Sequence, residues 1–184
     1  MKSIVVQELV HHLQAHEVEF KVVSDTVLSD RRLIIKVDPS CDAVSVIACL
    51  KEHPYVQSVS RTNFKSISDC LIITLILIKE VKEPWFSWII TGVKKYEGRL
   101  EKDDWSRLQV DQKILLYNED YVHQLVKVVS IQSFKTFNEA YEACGTQLIP
   151  TLPEGMTAEQ CYAKIFQGIK LKKYTKIIVE LELL

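Results

Sequence analysis

The segment Gly92, Val93, Lys94, Lys95, Tyr96, Glu97, Gly98, Arg99 gathers three cations around one carboxylate. Side chains of these types bind phosphate or polarise the carbonyl of a base. Alternation along a strand starting at Lys95 puts Lys95, Glu97 and Arg99 on one face and Tyr96 on the other. Glu97 can then hold the Arg99 guanidinium in a fixed geometry while a lysine contacts a ligand. Lys94 acts as a base if burial lowers its pKa, although a carboxylate nearby favours the charged amine. By composition alone, a solvated charged strand accounts for the same residues.

Other residues extend or compete with that chemistry. Trp85, Trp88, Trp105, Tyr96, Tyr117 and Tyr121 have faces on which bases stack, at about 1–3 kcal/mol per base. Trp88 is in phase with a buried helical stripe, whereas Trp105 and Tyr117 are the candidates for a ligand site. Lys164, Lys170, Lys172, Lys173 and Lys176 follow one another with no acidic residue between Gln160 and Val179, a candidate for phosphate contacts or a solubilising loop. His11, His12 and His16 are close in sequence, but no Cys or carboxylate completes a familiar ligand spacing, so they read as solvated histidines and no metal is expected. Cys41 in the DPSCDA segment reads as part of a helix-capping loop, since no His or acidic orienter accompanies it.

The elements that must position these residues follow from periodicity. Val5, Val6, Leu9, Val10 and Leu13 predict a helix over residues 4–15, and Val44, Ile47 and Leu50 a second one ending before Pro54. Phe20 to Val23, Leu33 to Val37, Tyr55 to Ser60 and Leu71 to Ile78 read as strands, with a turn in SDTVLSDRR between the first two. Pro84 opens a helix with Trp85, Trp88 and Ile89 on its apolar face, and Gly92 ends it. Strands are expected at Tyr96 to Arg99, Lys113 to Tyr117, Val122 to Ile131 and Lys176 to Leu184. Capping boxes at Thr136 with Glu139 and at Thr157 with Gln160 start two more helices. The expected class is α+β: a small α/β sandwich over residues 1–79, then a second unit over 80–184.

Composition removes several classes. The 184 residues are 47% apolar with five glycines and five prolines, which excludes a disordered tail or a linker-rich array. A formal charge of −1 excludes a protein-wide positive field, leaving only local patches for nucleic acid. Five cysteines without CxxC spacing read as free thiols of a reducing compartment. The first residues lack a signal-peptide pattern and the apolar run Leu71 to Ile78 is too short to span a bilayer, so an intracellular location, cytoplasmic or nuclear, is expected with no membrane partner.

From Leu75 to the end, the chain resembles an ASCH domain, a family related to the PUA fold of RNA-modifying proteins. The residues carrying the resemblance are Pro84 and Trp85, the GxKxxEGR signature at Gly92, Lys94, Glu97, Gly98 and Arg99, then Trp105, the strands Lys113 to Tyr117 and Val122 to Val129, Ser133 to Ala140, Pro153 and the QCYAKIF helix. The resemblance implies a small, mostly antiparallel PUA-like β-barrel with helices over its openings and a cleft lined by the signature. It also implies binding of nucleic acid, RNA first, through Lys94, Lys95, Glu97, Arg99, Trp105 and Tyr117, with Lys170, Lys172 and Lys173 widening the footprint. One enzymatic branch removes an acyl group from a modified cytidine with a lysine, a threonine and a glutamate. Lys94 matches that lysine, but Glu97 stands where the threonine nucleophile belongs, and Asp111-Gln112 replaces a Gly-Asp turn. The chain is therefore read first as a binder that needs no cofactor. A hydrolase acting on a modified nucleoside or RNA, with Lys94, Glu97 and Tyr117, is the alternative. An adaptor docking a protein partner through residues 1–79 comes third.

Overall fold

The computed structural model describes residues 2–24, 32–38, 40–61, 70–166 and 168–184. The chain divides into two compact units, Met1–Ile78 and Lys79–Leu184. The turn expected within SDTVLSDRR lies largely outside the described residues.

The first unit runs α1 (Lys2–Ala15), β1 (Phe20–Ser24), β2 (Arg32–Val37), α2 (Ala43–Glu52), β3 (Val56–Arg61) and β4 (Cys70–Leu75). Its four strands pair antiparallel in the order β1-β2-β4-β3. Leu33, Ile35 and Val37 alternate inward along β2, as a sheet with one buried face requires. On α1, Val5, Leu9 and Leu13 form the buried stripe at four-residue spacing. On α2 the stripe is Val46 and Leu50, whereas Val44 is exposed. The expected stripe fails at Val44 because strict three-residue spacing drifts around a helix of 3.6 residues per turn, away from the face that Val46 and Leu50 share. Asp42 caps the helix, its carboxylate accepting from the amides of Val44 (3.2 Å) and Ser45 (3.0 Å).

The run Leu71 to Ile78 is two strands rather than one. The Ile76 amide turns aside to donate to the Tyr55 carbonyl at 3.0 Å, and β5 (Leu77–Glu80) joins a different sheet. The second unit continues with α3 (Trp85–Ile90), β6 (Tyr96–Leu100), a 3₁₀ turn (Asp103–Arg107), β7 (Lys113–Tyr117), β8 (His123–Phe134), α4 (Phe137–Cys144), α5 (Ala158–Ile165), α6 (Gly168–Lys173) and β9 (Lys176–Leu183). Its strand order is β5-β7-β8-β9-β6. A register shift between Val128 and Ser130 in β8 adds local twist to this curled sheet. The sheet is a half-barrel and not the closed barrel expected, since β5 and β6 both remain edges.

The helices beside the sheet bury Leu100, Phe137, Ala140, Leu148, Ala158, Tyr162 and Ile178 in one cluster. Thr157 and Gln160 make the full reciprocal cap of α5. Thr136 caps α4, but the Glu139 carboxylate accepts from the Lys135 amide. On α3 the buried residues are Phe86 and Ile89, with Trp85 and Trp88 only half-buried, and Gly92 ends the turn at φ +74°. The segment before β9 is helical, not a loop. All five cysteines are free thiols. Among the described residues, no helix is long and apolar enough to cross a membrane.

Candidate functional site

β6 is an edge strand paired with β9 alone, so its other side is open to whatever the helices bring. Along that side lies a cavity of about 430 Å³. Glu97, Gly98 and Arg99 of β6, Trp85 of α3, and Tyr162 and Lys164 of α5 are among its lining residues. Just before β6, the Lys94 amide donates to the Trp88 carbonyl at the end of α3 (2.9 Å), which turns the Lys94 side chain inward.

Lys94 is 1% exposed. Its ammonium donates to the carbonyls of Tyr96 and of Leu148, the latter at 2.6 Å, and lies 3.4 Å from Glu97 Oε2 and 4.9 Å from the centre of the Trp85 ring. Two of its three protons go to those carbonyls, and Glu97 is held beside it as an ion pair. Burial pulls its pKa down from 10.5 to about 8, against the opposing pull of Glu97. Glu97 is 5% exposed, with Oε1 2.9 Å from Arg99 Nε. That approach lacks hydrogen-bond alignment, and Glu97 Oε2, Arg99 Nε and the Tyr162 hydroxyl are buried polar atoms without a hydrogen-bond partner. Beneath Arg99, the Trp105 ring lies 4.9 Å from the guanidinium carbon.

Aromatic packing fixes one wall. Tyr162 stacks on Phe137 with ring centres 3.8 Å apart and lies parallel to Phe166 at 6.0 Å, with Trp85 at 5.7 Å on another side. Its hydroxyl rests against Gly98, and burial holds its pKa well above the usual phenol value. Glu83, at the rim, accepts from Asn118 Nδ2 at 3.0 Å and from the Ser87 amide at 3.1 Å, which lowers its pKa.

The sequence profile of the family described as "ASCH domain" matches residues 80–181. The chain belongs to the ASCH domain family. Among solved structures, the chain is similar to hypothetical protein PH0355, with 23% identity over 60% of this chain and 100% of that one and a TM-score of 0.50, a likeness of fold. It is also similar to protein PF0455 from Pyrococcus furiosus, with 24% identity over 60% and 98% of the two chains and a TM-score of 0.47. An ASCH protein from Zymomonas mobilis shares 17% identity over 57% of this chain and 65% of its own, with a TM-score of 0.42. No curated protein matches the chain.

Within the ASCH unit the structure sorts the residues singled out from sequence. Glu97 and Arg99 face the cavity together, and Trp105 and Lys170 line an adjoining groove that Arg99 shares. Lys94 sits behind Glu97, outside the cavity lining, so it reaches a ligand only through Glu97. Lys95 is exposed and its side chain lines none of the three cavities described for this unit. Tyr117 is stacked on Tyr121 at 6.5 Å and also lines none of them. Lys172 and Lys173 border a separate shallow groove with Ser133 and Lys135. Lys176 leaves the basic run altogether: it is 5% exposed and its ammonium donates to the Leu171 carbonyl.

Sequence reasoning missed Tyr162, Phe166 and Glu83 as site residues. Their polar or aromatic ends reach the cavity only because α5 and the segment before α3 meet β6. A Tyr and a Phe at four-residue spacing in an apolar helix carry no signal beyond core. In the first unit, His12 is not a plainly solvated histidine: its Nε2 lies 3.1 Å from the Cys49 carbonyl and 3.4 Å from Cys49 Sγ. The partner is 37 residues away, which local spacing cannot show.

Proposed function

We propose that the ASCH unit binds RNA by receiving one unstacked base in the cavity at the β6 edge. Membership of the ASCH family supports nucleic-acid binding in general. The specific reading is carried by Glu97: a carboxylate in an aromatic-walled cavity, 5% exposed, with one oxygen left without a hydrogen-bond partner. A buried acceptor of this kind costs stability unless something supplies a donor, and the exocyclic amine or ring N–H of a base does so. Arg99 has further N–H groups for a carbonyl or phosphate, and the Trp85 and Phe166 rings supply stacking surfaces. Lys94 is a positioning residue here, holding the Glu97 charge in place. Lys164 and Lys170 extend toward the backbone phosphates, and Lys172 and Lys173 border a separate groove that widens the basic footprint.

Fluorescence anisotropy against matched single-stranded RNA, double-stranded RNA and DNA at two salt concentrations tests this. Single-stranded RNA binds best, and Glu97→Gln weakens it by about ten- to a hundredfold with the salt slope unchanged, the effect of losing a base contact rather than a phosphate contact. Undiminished binding in Glu97→Gln, or no binding of any nucleic acid, overturns the reading.

A second reading, hydrolysis of a modified nucleoside or RNA, is favoured by one observation: burial brings the Lys94 amine down to about 8 beside Glu97. Turnover by the wild type that is lost in both Lys94→Ala and Glu97→Gln, with the fold retained, selects it. Tyr117 lines none of the three cavities described for this unit, so Lys94 and Glu97 carry that reading.

A further inference from the structure

We propose that His12, His16 and Cys49 of the first unit form a binding site for one zinc-class divalent cation. Their ligating atoms lie within 4.8 Å of one another. A tetrahedral zinc ion with Zn–S of ~2.3 Å and Zn–N of ~2.0–2.1 Å holds its sulfur and nitrogen ligands roughly 3.5 Å apart. His12 Nε2 and Cys49 Sγ, at 3.4 Å, already have that spacing. His16 is exposed, so a small side-chain rotation brings its ring in.

The hydrogen bonds around the cluster set what a metal must displace: His12 Nε2, 3.1 Å from the Cys49 carbonyl, gives up that bond and its proton on ligation, whereas His16 is already arranged for it. His16 Nδ1 lies 2.9 Å from the His12 carbonyl. A carbonyl only accepts, so Nδ1 carries the proton and Nε2 keeps its lone pair. That is the orientation in which a ligating histidine donates its other N–H to a backbone carbonyl. His12 is in the last turn of α1 and His16 lies just past its end, four residues on, with the two ring centres 4.6 Å apart. Cys49 comes from α2, so the ion would clamp the two helices.

The surroundings add negative charge and rigidity. Glu8 precedes His12 by one turn, and Glu52 follows Cys49 by three residues and acts on its thiol. The His53 ring meets His12 edge-on, with centres 5.0 Å apart, and its Nδ1 accepts from the Tyr55 amide. His53 therefore braces the His12 ring without joining the cluster. Burial and Glu52 raise the Cys49 pKa, so metal binding near neutral pH must displace its proton. A thiolate with two neutral imidazoles selects a borderline-soft ion such as Zn²⁺ over Mg²⁺ or Ca²⁺. Three protein ligands leave a fourth position for water or another small ligand.

The test is titration of the reduced full-length chain with Co²⁺, followed by displacement with Zn²⁺. One Co²⁺ per chain is expected to bind with the strong visible absorption of tetrahedral cobalt and a sulfur-to-cobalt charge-transfer band. About one proton should be released per ion. Cys49→Ala removes the charge-transfer band. His16→Ala, a change at an exposed position, weakens Zn²⁺ binding at least tenfold with an unchanged far-ultraviolet dichroism spectrum. His11→Ala, the exposed neighbour outside the cluster, changes neither. No charge-transfer band in the wild type, or full Zn²⁺ affinity in His16→Ala, would overturn the site and reduce the His12 contact with Cys49 to an interhelical hydrogen bond.

Discussion

Lys94 and Lys172 are the same residue type in the same ASCH unit, yet they occupy opposite extremes of environment. Lys94 is 1% exposed, donates to two carbonyls and is ion-paired with Glu97. Lys172 is exposed beside a shallow groove, next to Lys173. A buried ammonium in a low dielectric fixes its neighbours and acts over a few ångströms, whereas exposed ammoniums act through a screened field that follows salt. On the RNA-binding reading proposed above, the two regions divide the labour: the 94–99 cluster arranges one carboxylate and one guanidinium at a cavity, and the exposed lysines attract the chain. Lys176 belongs to the run in sequence but to the buried class in space, with its ammonium on the Leu171 carbonyl.

The strongest way to break this contrast is Lys94→Met. It leaves Glu97 buried with one cation instead of two and removes the donor from the Leu148 and Tyr96 carbonyls, so the ASCH unit should lose about 3–5 kcal/mol in urea unfolding. The pH dependence sharpens the point. The folded Lys94 releases its proton near 8 while the unfolded chain holds it up to 10.5, so the unfolded state binds more protons between those values. Stability of the wild type therefore rises from pH 8 to 10.5, and Lys94→Met lacks that part of the rise. A cost below about 1 kcal/mol would place Lys94 in the same class as an ordinary surface residue.

Gly98→Ala is expected to have the next largest effect. An added Cβ would lie 2.4 Å from the Tyr162 hydroxyl and 2.6 Å from its ring carbon Cζ. The ring cannot retreat freely, because Phe137 stacks on its face at 3.8 Å. Overpacking of this kind costs about 1–3 kcal/mol. For a unit of this size that lowers Tm by roughly 4–8 °C per kcal/mol, which calorimetry measures directly. An unchanged Tm would mean that the wall of the cavity yields, and that Tyr162 does not hold a fixed shape against β6.

The difference between the two regions also explains what was legible in the sequence. The 3.6- and 2-residue periods placed most helices and strands, and the signature octapeptide pointed to Glu97 and Arg99, because these features are local. The burial of Lys94 was not legible, since it depends on the Leu148 carbonyl, 54 residues away. Tyr162 reads as core from its helix and meets Gly98 only across the β6 edge. Val44, spaced by three from Ile47 and by six from Leu50, drifts off the face that Val46 and Leu50 bury, and which face packs inward is set by the sheet it meets. The closed barrel failed for a similar reason: strand number and pattern were present, but pairing leaves β5 and β6 as edges. Contacts between distant segments decided each case.

The smallest effect is expected from the exposed lysines, and that smallness carries the argument. Lys172→Ala with Lys173→Ala changes two exposed side chains outside the cavity, so stability should stay within about 0.5 kcal/mol per site. Cation loss appears instead in the salt dependence of RNA binding, where each phosphate contact on a single strand contributes about 0.7 to the slope of log affinity against log salt. If both lysines meet phosphates, the slope falls by about 1.4 while discrimination between RNA and DNA persists. Glu97→Gln should do the reverse, weakening binding at every salt concentration with the slope intact. A double variant with an unchanged slope would confine the interface to the β6 edge, and the buried cluster would then account for binding without help from the basic run.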